Sequence, residues 1–172
     1  MRLEKEVLYA QLKAMGAPLG GDTYFAAEQV EPLVVFAEAL RLSRYDASLT
    51  RCFPVLLYKH RSFFQAYHQV REIAVLSGES RALGFFLELT ASLSGDADLL
   101  RVAERHRAAS SVDFREVEPF FLSRPMNSYA RLAAEQNSPL VAKAWNFLLN
   151  EGMDSFEKLF RSFVPRVSHN AS

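Results

Sequence analysis

Two short stretches constrain this chain more than any others. "AVLSGES" (residues 74–80) and "ASLSGDA" (residues 91–97) repeat a Leu-Ser-Gly stop at an offset of 17 residues. Glycine after a run of helix-spaced apolar residues reaches the left-handed conformation that closes a helix. The stops therefore bracket a helix between Ser80 and about Ser94, with Asp96 placed to cap the next. Two such units span about 34 residues, a length seen in helical-hairpin repeats. Only two echoes are present, and they share mainly the stop itself. The simpler reading is two similar helix-to-helix turns.

Helical spacing of apolar residues continues over most of the remaining sequence, and strand-like alternation is scarce. A first helix is expected over residues 3–15, stopped by Gly16. Another covers residues 32–42 with Pro32 in its first turn, and could reach back to Thr23. Asp46 can cap the next helix, which Pro54 should kink or restart. Ser62 and Gln65 match a capping box, placing a helix start at Phe63 and its end near Ser77 and Gly78. Residues 108–127 are irregular, and Phe114, Phe120, Phe121 and Leu122 should dock them onto the core. Asn127 or Ser128, Ser138 with Pro139, and Asp154 with Glu157 open three further helices. The second of these runs to about Asn150 and the third to about Phe163. No helix reads as apolar all round.

The expected fold is all-α: a single-domain irregular multi-helix bundle or short helical-hairpin array of eight or nine helices. The domain spans residues 1–164, and residues 165–172 read as a flexible tail. With 172 residues, the chain is long enough to bury a substantial core. Its one cysteine, Cys52, rules out an internal disulfide and a thiolate metal cluster within one chain, and its apolar setting reads as a buried, inert thiol. No apolar run approaches the roughly 20 residues of a bilayer span. The beginning of the chain has no signal-peptide character, so a cytoplasmic setting without membrane contact is expected. The closing "NAS" matches a glycosylation sequon by chance.

Chemistry-bearing motifs are sparse. The histidines His60, His68, His106 and His169 have no metal-ligand spacing, "GAPLGGD" lacks the residues of a phosphate loop, and no nucleophile signature is present. The expectation is no catalytic residues, no metal and no cofactor. Charge is more informative. The formal net charge is zero. Yet residues 41–71 hold Arg41, Arg44, Arg51, Lys59, Arg61 and Arg71 against Asp46 alone. Residues 72–100 hold Arg81 against Glu72, Glu79, Glu88, Asp96 and Asp98. Such segregation attracts phosphates, aligns neighbouring helices or marks a charged partner surface.

Candidate anion or nucleic-acid contacts are Lys59, His60, Arg61, Ser62 and Arg71, joined by Arg101, Arg105 and Arg107. Phe64 and Tyr67 are available for base stacking, although core packing suits them better. Phe156, Phe160 and Phe163 line one face of the last helix and are candidate partner contacts if the core does not cover them. The leading expectation is a non-enzymatic protein-interaction or regulatory protein, adaptor or antitoxin-like, whose partner is another protein or a second copy. A nucleic-acid-binding regulator using residues 41–71 is the alternative, and an enzyme with a dispersed site the third.

Overall fold

The computed structural model describes residues 2–22, 28–110 and 116–166. Ten helices and one two-stranded contact make up this part of the chain. The expectations for Phe114, for a helix reaching back to Thr23 and for the last residues of the tail fall outside it.

The first helices are α1 (Lys5–Ala14), α2 (Pro32–Ser43) and α3 (Ala47–Lys59). Gly16 follows α1 at φ +92°, and Pro32 opens α2. The Asp46 carboxylate caps α3 by accepting from the amides of Ser48 (2.9 Å) and Leu49 (3.3 Å). Its second oxygen accepts from Tyr9 (2.6 Å) and Lys5 (2.9 Å), so one carboxylate ties α1 to the start of α3. Pro54 does not restart the helix. It is buried inside an unbroken α3, where packing offsets the cost of roughly 3 kcal/mol for an interior proline.

The capping-box reading fails. Ser62 lies inside the five-residue α4 (Arg61–Gln65), which has no side-chain cap. Ala66, at ψ 98°, breaks the chain before α5 (Tyr67–Ser77). The break has a packing cause. On one continuous helix Phe64 and Val70 would stand about 120° apart. Divided at Ala66, both are completely buried, and Phe64 meets Phe36 with ring centres 4.7 Å apart.

Gly78 and Gly95 close α5 and α6 (Ser80–Ser94) at φ +70° and +74°. Asp96 caps α7 (Ala97–Ala109) through the amides of Asp98 and Leu99. Contrary to the sequence pattern, α6 is buried on nearly every side, because α3, α5, α7 and α9 (Leu140–Ala144) all pack on it. The segment after α7 supplies β1 (Glu118–Pro119), and α8 (Ser128–Asn137) follows, capped by Asn127.

The helix expected to reach Asn150 stops at Ala144. Asn146 takes φ +58°, a left-handed conformation that asparagine tolerates, and turns the chain into β2 (Phe147–Leu148). β2 pairs in parallel with β1, Glu118 opposite Phe147 and Pro119 opposite Leu148. Gly152, rather than Asp154, precedes α10 (Met153–Phe163), and no side chain caps it. Buried side chains from Leu8 to Phe160 form one continuous core.

Candidate functional site

The cations singled out in the sequence do not converge on one anion site. Lys59 and His60 close the C-terminal end of α1. Lys59 Nζ donates to the Gly16 carbonyl (2.9 Å) and His60 Nε2 to that of Met15 (2.8 Å). The charge of Lys59 there complements the negative end of the helix dipole. Arg61 does the same for α3, donating to the Tyr58 carbonyl (3.1 Å), and lies 3.8 Å from Asp96. Ser62 is exposed on α4. Arg71 is exposed on α5, beside a surface depression lined by His68, Glu72, Val75 and Leu76.

Arg101 and Arg105 share an exposed cleft with Gln65 and Tyr67. The Arg105 guanidinium lies 4.2 Å from the Tyr67 ring centre, while Arg101 pairs with Asp98 one turn earlier. Arg107 belongs elsewhere, 4.9 Å from the Trp145 ring centre and 3.9 Å from Glu88. Phe64 is unavailable for stacking because it is buried.

The candidate partner face on α10 is also corrected. Phe156 and Phe160 are core residues, and only Phe163 of the three remains open, 45% exposed. Exposed apolar side chains stand on α5, where Val75 is 81% and Leu76 58% exposed, and on α8 with the start of α9. There Tyr129 is 84%, Leu132 55% and Leu140 82% exposed. Of the ten residues of α8, only Ala134 is buried. Tyr129 and Leu132 stand one turn apart, away from Ala134, beside the surface ion pair of Arg131 and Glu135. The sequence signal was visible: alanines carry the inward side of α8 and the large apolar residues lie elsewhere.

In the sequence Arg44 is one cation of the basic block. It is buried and binds Glu79 (2.6 Å), Glu118 (2.8 Å) and the Phe120 carbonyl (2.6 Å), with its guanidinium over the Phe147 ring. Arg81 completes the group with a 2.5 Å contact to Glu118. Burial pushes the Glu118 carboxyl up, but the hydrogen bond from Arg44 and the charges of Arg81 and Arg44 outweigh it and hold it below its ordinary value. The cluster fastens β1 to the end of α2 and the start of α6.

Ser80 and His106 come nearest to a nucleophile–base pair, with Oγ and Nε2 3.1 Å apart. The same Nε2 lies 2.8 Å from the Ser80 carbonyl, which can only accept. Nε2 therefore carries the proton and cannot take one from the hydroxyl. Cys52 is buried, its thiol pushed up to about 11 by burial, and donates to the Pro18 carbonyl at 3.3 Å. Among the described residues no group of three or more His, Cys, Asp and Glu side chains is placed to hold a metal ion, and no helix is long and apolar enough to cross a membrane.

The chain matches no family model, no curated protein and no solved structure. Its functional reading rests on its own surfaces.

Proposed function

We propose that this protein is a non-enzymatic interaction or regulatory protein, adaptor or antitoxin-like, and that α8 with the start of α9 forms its docking face for another protein. The exposure of Tyr129, Leu132 and Leu140 on one thinly anchored part of the fold carries the reading. Large apolar side chains left in water favour a partner that covers them, and tyrosine contributes a rigid, amphipathic contact. Arg124 and Lys143, exposed on the flanking segments, favour acidic groups at the rim of that partner.

Nucleic-acid binding is the second reading. It is supported by Arg101 and Arg105, one turn apart on α7 beside the Tyr67 ring. The adjoining Asp98 and Glu104 weaken the attraction for phosphates.

One comparison tests both. Wild type, Tyr129→Asp/Leu132→Asp and Arg101→Ala/Arg105→Ala chains are used to retain material from an extract of the source cells. A protein held by wild type and the arginine variant but lost by the α8 variant supports the docking face. Equal retention by all three removes it. Nucleic acid lost only by the arginine variant, with a steep salt dependence, replaces it with the second reading.

A further inference from the structure

The end of α10 and the α6–α7 turn leave a cleft of about 500 Å³ between them, within the usual range for small-molecule sites. Tyr58 of α3 and Val164 give it an apolar wall, backed by the buried Phe160, and Arg161 and Arg166 bring two cations to it. Tyr58 meets the buried Phe160 edge-on, with ring centres 5.6 Å apart, so the aromatic wall is held firmly. Arg61 supplies a third guanidinium at the rim, 4.5 Å from the Tyr58 ring centre.

Asp96 is the acidic residue among the described lining. One of its oxygens is already taken by the amides of Asp98 and Leu99, and the other lies 3.8 Å from Arg61. Arg61 thus partly offsets Asp96, and Arg161 and Arg166 leave the lining with a local positive surplus. Arg161 is fixed by donating from Nη2 to the Leu93 carbonyl at 2.9 Å. Its Nε is buried and has no acceptor among the described residues. A buried donor left unpaired is costly, and a ligand oxygen reached by a small rotation of the guanidinium would satisfy it.

We propose that this cleft binds a small organic anion, an oxyanion head group carried on a flat apolar body. The head group lies between Arg161 and Arg166, and the body rests against Tyr58 and Val164. Guanidinium groups suit both phosphate and carboxylate oxygens, so the head group is the variable to be tested. This site is separate from the docking face on α8 and does not depend on it.

The probes are phenyl phosphate, benzoate and phenol, titrated at millimolar concentration into the full chain while its amide resonances are followed. Phenyl phosphate or benzoate is expected to move Gly95, Asp96, Val164 and Arg166, and the stronger of the two identifies the head group. Phenol, without the anion, leaves them in place. Arg166 lies beyond α10, so Arg166→Glu should weaken binding about tenfold, as expected for loss of one charge-assisted contact, with no change in Tm. Arg105→Glu, in a different cleft, should leave binding as it was. The proposal is overturned if neither anion shifts these resonances, if phenol shifts them equally, or if Arg166→Glu binds as tightly as wild type.

Discussion

Burying an imidazole with one nitrogen unpaired sets a pH limit on the fold. His106 Nε2 donates to Ser80, while Nδ1 is buried without a partner among the described residues. Tyr67 and Trp145 pack against the ring, and Arg105 and Arg107 flank it in sequence on α7. None of these accepts a proton from Nδ1. Burial accordingly holds the pKa below its ordinary 6.5, against the opposing effect of the Ser80 carbonyl. The unfolded chain takes up the proton first, so stability is full above pH 6.5 and falls as pH drops below it. For one proton the slope is at most about 1.4 kcal/mol per pH unit. Urea midpoints at successive pH values should show this loss in wild type. A His106→Gln variant, whose amide can still donate to Ser80, should lack it. An equal slope in both proteins would assign the pH dependence to another group. This liability was hidden in the sequence, where "ERHRA" reads as a solvated basic cluster. Asp46 and Asp96 were legible because a cap depends on near neighbours, whereas the burial of His106 depends on a helix end 26 residues away.

The elements divide along the same line. The glycine stops of α5 and α6 and the Asp96 cap of α7 act within one turn, and they fall where the sequence put them. The readings of Ser62 with Gln65 and of Asp154 with Glu157 failed because a capping pattern is also compatible with an ordinary helix interior or first turn. The actual breaks at Ala66 and Asn146 serve distant packing. Gly84 shows how strict that packing is. The Trp145 ring lies so close to α6 that a β-carbon on Gly84 would come within 2.1 Å of Cη2. Trp145 cannot easily retreat. Its indole nitrogen donates to Glu88 at 2.6 Å, with His106 stacked on it and Arg107 nearby. Gly84→Ala should therefore cost about 3 kcal/mol, the upper end for overpacking, despite the better helix propensity of alanine. Chemical denaturation would measure the loss, and near-ultraviolet circular dichroism would report the displaced Trp145. A stability within 0.5 kcal/mol of wild type (about the scatter for harmless surface changes) would show that α9 can move away from α6 without loss.

Across the molecule, the separation of basic and acidic blocks is partly consumed internally. Arg44 pairs with Glu79 and Arg61 approaches Asp96, so the basic stretch aligns with the acidic one that follows it. Composition exposed the two blocks, but only the folded chain shows which charges are spent and that the α8 surface stays open. Arg44 also joins the helical array α1–α7 to the C-terminal part: Leu122 donates to its carbonyl, and its guanidinium holds Glu118 and Phe120. Replacement by methionine retains bulk but leaves two carboxylates and a carbonyl short of a partner. The loss should be about 3 kcal/mol, at the low end for breaking a buried ion pair, because Glu118 keeps Arg81 and is partly exposed. The loss should also be local. In Arg44→Met, backbone amides at Glu118, Phe120 and Leu122 should exchange with solvent faster, while α3 and α6 keep their protection as long as the core remains folded. Uniformly faster exchange would instead make Arg44 a support of the whole core. Because β1 pairs with β2, and β2 packs on α8, the local outcome would also loosen the support beneath Tyr129 and Leu132, coupling the buried Arg44 cluster to the proposed docking face.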